Sequence, residues 1–426
     1  MSAFASHAAT YSMRHDSPAL VWRTGGAWMA VTGIVVGLAL TDAIIGPLPA
    51  LSAGIQIYPQ DILCVVLGAL ALVTLLMARR WSVTVIGLLG VTALVGIQLM
   101  RGVTAFGLTT AGNESRTIAC FLTAAVLFAT APHEHARGAL KVLLAYTIAL
   151  AALAAVRWAI LLVNPGWVNW GDVGGGKPIR VINASHSLLL CQSALLAGAW
   201  FLARGRATKS ALGWILVAGA TVVVLQHRSA WFAGAAGLVW LAVRTYAQRP
   251  GQWRRGVTVV CILAPIGIAA LALAGGLSTD LLASLTEPTD PHSTLAWRIS
   301  GWNALISELG TVSDWLLGLP FGTGYLRVIE GALREESPHN FFIEALLRLG
   351  VVGLLALVVT YGSILVRARR AVRGWSFSTL AAELIVVTQL AFYLVYSPDA
   401  VQGMLLGVAA ALAACPKSQA QTKAAC

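Results

Sequence analysis

The chain has 426 residues, 58% of them hydrophobic and 11% charged, and a formal net charge of +12. A soluble domain carries roughly 25% charged residues, so this composition, with a mean hydropathy of +0.78, excludes a soluble globular protein. Apolar runs of roughly 18 residues or more, each long enough to cross a bilayer, recur from near residue 24 to near residue 414, which also excludes a lone signal peptide.

In chain order the sequence predicts an all-α integral membrane protein. A cytoplasmic N-terminal tail (1–24) precedes a polytopic domain (25–415), and a short cytoplasmic tail (416–426) follows it. About twelve spans are expected, near 25–46, 58–78, 82–100, 117–132, 140–163, 182–203, 211–226, 230–246, 257–278, 340–366, 376–396 and 400–415. The linkers "ARRW", "RGRATKS", "RTYAQRPGQWRRG" and "RARRAVRGW" are rich in Arg, as cytoplasmic loops are. With both termini inside, 19 Lys and Arg fall on the cytoplasmic side, 8 outside and 2 within spans. The positive charge therefore reads as topology. Nucleic-acid binding would need basic residues gathered on one soluble face, and the sequence has none.

The six cysteines, at 64, 120, 191, 261, 415 and 426, fall in spans or the tail, so no disulfide framework is expected. No Cys/His spacing suggests a metal.

Two outer loops hold the polar chemistry. Residues 164–180, "NPGWVNWGDVGGGKPIR", contain Gly171 to Lys177, which fits G-x4-G-K. Pro178 stands where a P-loop places Ser or Thr, and it lacks a backbone N–H, so nucleotide binding is not expected. A flexible glycine loop, or an anion-facing nest of another kind, fits better. Residues 279–339 form a second, much longer loop. Loops above about 15 residues in a compact protein are functional or disordered. Helix-like stretches near 294–309 and 324–335 predict a folded helical cap before the tenth span.

Three arginines belong to this outer side. Arg180 opens the sixth span, Arg228 sits in the tight turn "LQHRSAW", and Arg298 lies in the long loop within "TLAWRISGW". Each alone fits an arginine snorkelling to lipid headgroups. Converging on one cleft, their planar forks would grip a pyrophosphate. The stretch "SPHNFFIEALLRLG" (337–350) enters the tenth span with His339 at its threshold. Ser337 is the expected helix cap, with Pro338 in the first turn. Asn340, Glu344 and Arg348 recur every four residues, so they share a helix face that points into the protein, where Glu344 and Arg348 can pair. His339 is either an interfacial histidine bonded to a carbonyl or a general base, with an ordinary pKa of about 6.5 near working pH.

The remaining polar residues read more plainly. Asp61 and "NESR" (113–116) cap the second and fourth spans, although Arg116 has reach to join the cleft. His186 reads as a satisfied buried histidine, and His227 stays ambiguous. Glu383 has no partner visible in the sequence. Trp167, Trp170, Trp231, Trp297, Trp302 and Trp315 suit an aromatic belt, with sugar stacking as the second option for those in the long loop.

In order, Arg180 after a short outer loop, the "HRSAW" turn, "WRISGWNALI", "GLPFGTG" (318–324) and "SPHNFFIEALLRLGVVG" resemble the O-antigen ligase and polymerase superfamily of bacterial membrane glycosyltransferases. The resemblance is clearest over about residues 165–355. It implies a GT-C-like fold in the bacterial inner membrane, with the 279–339 loop and the site facing the periplasm. It implies a donor glycan on undecaprenyl pyrophosphate, gripped by Arg180, Arg228 and Arg298. His339 would activate the acceptor hydroxyl, with Asn340, Glu344 and Arg348 in support. Arg116, Arg327 or Arg334 would be the substitutes if one arginine were misassigned. No Asp-x-Asp pair occurs in the outer loops, so metal-independent, inverting transfer without a cofactor is expected. The acceptor is lipid A–core oligosaccharide for a ligase or a second lipid-linked glycan for a polymerase. One dominant outer loop before the histidine favours the ligase. Peptidoglycan-type polymerases use a related donor, and protein O-glycosylating relatives carry a larger C-terminal outer region. A secondary transporter, the reading from another class, would place its polar groups near the midplane in two repeated halves.

Overall fold

The computed structural model describes residues 18–46, 48–52, 56–78, 81–164, 180–204, 208–248, 294–329, 332–370 and 376–414. Its helices are α1 (Pro18–Ile45), α2 (Pro59–Ala78), α3 (Val83–Phe106), α4 (Leu108–Ala129), α5 (His133–Val163), α6 (Ala184–Arg204), α7 (Lys209–Val224) and α8 (Arg228–Gln248), followed by α9 (Thr294–Ile306), α10 (Val312–Leu317), α11 (Phe341–Arg370), α12 (Phe377–Phe392) and α13 (Ala400–Ala413). Two small antiparallel hairpins accompany them: β1 (Leu51–Ser52) with β2 (Gln56–Ile57), and β3 (Arg327–Ile329) with β4 (Ala332–Arg334).

The chain is an all-α membrane protein. Among the described residues α1, α2, α3, α5, α6 and α11 are long and apolar enough to cross a bilayer. Helices α7, α12 and α13 are apolar but shorter, and α4 and α8 fall outside both groups. The expected span 257–278 and the start of the long loop lie outside the described residues.

Close packing is built in at the level of single residues. Helix α13 carries Gly403 and Gly407 one turn apart, and a Cβ on either would meet the α4 backbone, at 2.1 Å from the Phe121 oxygen and 2.5 Å from the Ala125 oxygen. Small residues four apart let two helix backbones touch, which is how helices associate where lipid removes the hydrophobic drive between them. Deeper in the bundle, Gln192 of α6 bonds Thr388 of α12 at 3.0 Å, and Gln389 of α12 bonds Gln402 of α13 at 2.9 Å. These buried amides satisfy one another across three helices.

Helix α11 is broken at Gly350, whose φ of 64° and ψ of −171° leave the helical region. The segment 316–324 fills the break. A Cβ at Gly350 would meet the Leu316 oxygen at 2.2 Å, and one at Gly318 would meet the Arg348 carbonyl carbon at 2.5 Å. Both positions therefore need glycine, by backbone angle and by contact. The Leu347 carbonyl near the break accepts from the Leu319 N–H at 2.6 Å, so this buried acceptor has a partner.

Two sequence expectations are corrected in this region. The stretch 324–335 was expected to be helical, but it carries the β3–β4 hairpin. The cause is the alternation Arg327 buried, Val328 exposed, Ile329 buried, a period of two on β-branched residues. And Glu383, without an evident partner in the sequence, is fully buried against Arg244 at 2.7 Å and the Trp240 indole N–H at 3.0 Å. Those partners sit on α8, 139 and 143 positions away, and no local pattern announces them.

Candidate functional site

At one end of the bundle lie the last turns of α1, α3, α5, α7 and α12 and the first turns of α2, α4, α6, α8, α11 and α13. The three candidate arginines and His339 all belong to this end.

Residues 180–183 run non-helically into α6, and two of their carbonyls are held by side chains of other helices and turns. Arg157 of α5, buried inside its span, donates to the Val181 carbonyl at 2.6 Å and to the Ile44 carbonyl at 2.9 Å. The His227 Nε2 lies 2.8 Å from the Ile182 carbonyl. Asn183 caps the helix by accepting from the His186 N–H at 2.8 Å. Arg180, at the head of this segment, donates to the Gln226 carbonyl at 3.3 Å. Gln226 turns between α7 and α8 with a φ of 54°. Arg228 follows as the first residue of α8, half-buried. Burial pushes the His227 imidazole down to about 4; its carbonyl bond works against this and the nearby Arg180 charge reinforces it.

The second half of the site forms around α9 and the entrance to α11. The Trp302 indole N–H donates to the Pro338 carbonyl at 2.7 Å and so ties α9 to the residue before His339. Arg298, one turn earlier, donates to the Val395 carbonyl at 3.4 Å. His339 has a φ of 48°, a left-handed conformation that a side chain adopts only at a cost. Its ring lies 6.1 Å from that of Tyr396, which in turn stacks on Phe392 at 4.9 Å. The Phe341 N–H reaches the Tyr393 carbonyl at 2.9 Å and so pins the same turn. Burial lowers the His339 pKa from its ordinary value. The Arg298 charge and, more weakly, Arg327 push it the same way, while Glu336 opposes them.

The stripe after His339 is buried as expected, but it is wired differently. Asn340, not Ser337, caps α11, accepting from the Phe342 and Ile343 N–H groups at 3.0 and 3.2 Å. Glu344 and Arg348 do not pair with each other. Glu344 accepts from the Ser397 hydroxyl at 2.8 Å and from the Tyr325 hydroxyl at 3.5 Å. Arg348 forms an ion pair with Glu114 of α4, donates to the Gly324 carbonyl and lies over the Tyr325 ring at 4.6 Å. Glu114 also accepts from the Gly322 and Gly324 N–H groups at 2.6 and 3.1 Å. "NESR" is thus not a cap: α4 begins at Leu108, which leaves Glu114 and Arg116 in its second and third turns.

Two of the three substitute arginines are committed to other partners. Arg116 pairs with Asp61 at 2.6 Å and lies 3.9 Å from the centroid of the Tyr58 ring. Asp61 also caps α2 by accepting from the Tyr58 N–H at 2.8 Å. Arg327 donates to the Tyr325 and Glu336 carbonyls. Arg334 lies exposed on β4. His186 is buried edge-on to Tyr146. Its Nδ1 has no hydrogen-bond partner among the described residues, which departs from the satisfied histidine expected. The Gly171–Lys177 stretch, Trp167 and Trp170 lie outside the described residues.

Arg298 and His339 therefore share one neighbourhood, and Arg180 and Arg228 flank the Gln226–His227 turn. The link between the halves is the turn 393–399, which sequence reasoning did not single out. It touches Phe341, Arg298, His339 and Glu344, and its Asp399 caps α13 through the Gln402 N–H at 2.8 Å while bonding Ser185 of α6. Burial raises the Asp399 carboxyl pKa. The available signal was "SPD" between two apolar runs, a cap before a helix.

No family model matches the chain, and no curated protein matches it.

Proposed function

We propose that the chain is an O-antigen ligase-like glycosyltransferase of the bacterial inner membrane, moving a glycan from undecaprenyl pyrophosphate to a hydroxyl of lipid A–core. In this reading the protein has twelve spans, the stretch 257–278 being the ninth. Both termini are cytoplasmic, and the 279–339 loop and the site face the periplasm.

The observation that carries the reading concerns backbone strain. Among the described residues only Gln226 and His339 combine a side chain with positive φ, and both belong to this end of the bundle. Gln226 offers its carbonyl to Arg180; His339 sets an imidazole beside Arg298. Strain retained at polar positions is a mark of functional sites.

The chemistry follows from the groups present. The acceptor oxygen attacks the anomeric carbon while the neutral His339 takes its proton. The bond from that carbon to the phosphate oxygen breaks, and undecaprenyl pyrophosphate leaves with the electron pair. Arg180, Arg228 and Arg298 stabilise the charge that develops on it, as fixed cations do in a partly dry site. A single displacement inverts the anomeric centre, and the guanidinium groups take the role a metal plays elsewhere.

The test is reconstitution with an undecaprenyl-pyrophosphate glycan and two acceptors, lipid A–core and a second lipid-linked glycan, without divalent metal. Glycan on lipid A–core that is lost in His339→Ala and Arg228→Ala is the expected result. Elongation of the lipid-linked glycan would make the chain a polymerase using the same groups. Turnover unchanged in both variants would remove these residues from the mechanism. No turnover with a competent donor would favour a transporter.

A further inference from the structure

Exposed side chains in the water-facing loops of a membrane protein are mostly polar, and α10 departs from this. Its six residues read VSDWLL. Val312 is 76% exposed, Leu316 48%, Leu317 43% and Trp315 41%. The polar groups gather at one end, where Thr311 and Asp314 form a complete capping box. The rest of the helix presents apolar surface that no described element covers.

The position of α10 explains what covers it. The helix does not stand above the bundle but is pressed into its side, with the Leu316–Leu317 backbone against Gly350 and the Gly318 backbone against residues 348–349. The level of that contact in the bilayer follows from α11. Arg367, Arg369 and Arg370 mark its last turn. A hydrocarbon core of roughly 30 Å takes about 20 helical residues, and counting back from Arg367 reaches residue 347. The boundary between acyl chains and headgroups thus falls within one turn of Gly350, where α10 docks. The neighbouring helices continue the same surface. Ile97 and Met100 on α3 and Val352 and Leu355 on α11 are exposed and apolar, as lipid-facing positions of spanning helices are.

We propose that α10 is an interfacial helix, with Val312, Trp315, Leu316 and Leu317 lying in the acyl–headgroup boundary of the leaflet at the site end of the bundle. The segment 311–324 is then a re-entrant lip seated in lipid, not part of a water-facing cap. Its backbone polar groups, which lipid cannot satisfy, are taken by protein. The Gly322 and Gly324 N–H groups go to Glu114, the Leu317 carbonyl to the Gln98 amide, and the Gly318 carbonyl to Arg101. Val312, Trp315 and Leu316 share a face by their three- and four-residue spacing, with Leu317 at the helix end. A tryptophan beside aliphatic residues and a carboxylate in the first turn suit a helix lying in the plane of the interface. The proposal depends on the chain spanning a membrane and not on glycosyl transfer.

The experiment uses the full chain in phospholipid nanodiscs, with its six cysteines replaced and one spin label at a time. Labels go at Val312→Cys and Leu316→Cys, with Val358→Cys on α11 as the lipid reference and Glu335→Cys after β4 as the water reference. Collisions with oxygen, which partitions into acyl chains, are compared with collisions with a water-soluble nickel chelate. The expected oxygen-to-nickel ratio at 312 and 316 lies within about twofold of position 358 and severalfold above position 335. A ratio equal to that at 335 overturns the proposal. So does shielding from both reagents with broadening between labels, which would mean a second copy covers α10. Should the cysteine-free chain fail to fold, the difference in emission between the native chain and Trp315→Phe isolates one of fifteen tryptophans. Quenching of that difference by brominated acyl chains supports the lip, and quenching by aqueous acrylamide overturns it.

Discussion

His339 and Arg348 stand two and a half turns apart at the entrance of one helix, and both are polar residues in an apolar stretch. Arg348 is 1% exposed and stitched to Glu114, to the 320–324 loop and to the Tyr325 ring. His339 is half-buried, strained in its backbone, and has a guanidinium and a phenol beside it. Arg348 closes a break in the fold, whereas His339 keeps a strained backbone at the mouth of the helix. Polarity inside an apolar chain is therefore two signals, and local sequence does not separate them. What separates them is whether the partners satisfy the group or merely surround it.

The largest expected effect tests the structural half of that contrast. Removing one member of a buried ion pair leaves an uncompensated charge and costs about 3–5 kcal/mol. Arg348→Ala or Glu114→Ala is expected to lose that much stability, read as thermal unfolding in detergent. The double substitution Glu114→Leu with Arg348→Met is expected to recover most of it, because it removes both charges while filling the space. Equal losses in single and double variants would show that Glu114 acts through the Gly322 and Gly324 N–H groups instead.

Next comes the functional half. His339→Ala is expected to reduce transfer by about 10²–10⁴, the usual contribution of a positioned base, with an unfolding temperature close to that of the native chain. His339→Gly is expected to behave alike and to keep stability within about 1 kcal/mol, since the glycine backbone accepts positive φ freely but orders at greater entropic cost. A variant that lost stability in proportion to activity would place His339 with Arg348, as a residue of the fold.

These two outcomes also mark what the sequence could disclose. Helices were legible because the apolar runs are long: six of those described are long and apolar enough to cross a bilayer, and Lys209–Val224 and Arg228–Gln248 form helices where the short runs 211–226 and 230–246 were expected. The four-residue spacing of Asn340, Glu344 and Arg348 disclosed a buried face. Partners were not legible. Glu114 is 234 positions from Arg348 and Arg244 is 139 from Glu383, and no periodicity joins positions that far apart. The Gly350 break was invisible as well, because a glycine within an apolar run reads as a tolerated helix residue until a backbone is found against it. At the site, Arg180, Arg228, Arg298 and His339 were chosen from their place on the expected outer side and from the family resemblance. The groups that hold them (Arg157, Gln226 and the turn 393–399) carry signals too local or too common to stand out.

A smaller effect lies on the Arg180 side. The folded His227 titrates near 4, below the unfolded value of about 6.5. Both states are neutral above pH 6.5. Between 6.5 and 4 the unfolded chain binds a proton that the folded chain refuses, so stability falls with pH and the loss is complete near 4. It amounts to up to about 3 kcal/mol. His227→Gln, which retains a group able to meet the Ile182 carbonyl, is expected to flatten this decline. The readout is the difference in unfolding temperature between pH 7.5 and pH 5 for the two proteins. An unchanged difference would mean that other groups govern acid lability.

The smallest effect is the sharpest test of the contrast between the two groups. In the proposed reaction the acceptor proton passes to neutral His339, so the rate is expected to fall as pH drops through the pKa of that imidazole. Burial and the Arg298 charge both depress this pKa from its ordinary value, and the acid limb is expected below that of an exposed histidine. Arg298→Gln removes the charge but leaves the burial. The limb should then move toward neutral pH without reaching the exposed value, whatever happens to the maximal rate. A fall in rate alone says only that Arg298 helps bind the donor. Movement of the midpoint requires that its charge is felt at the titrating group, and no purely structural role for Arg298 predicts that. A midpoint that stays in place while the rate falls would mean that the titrating base is not His339, and would leave its strained backbone without a chemical purpose.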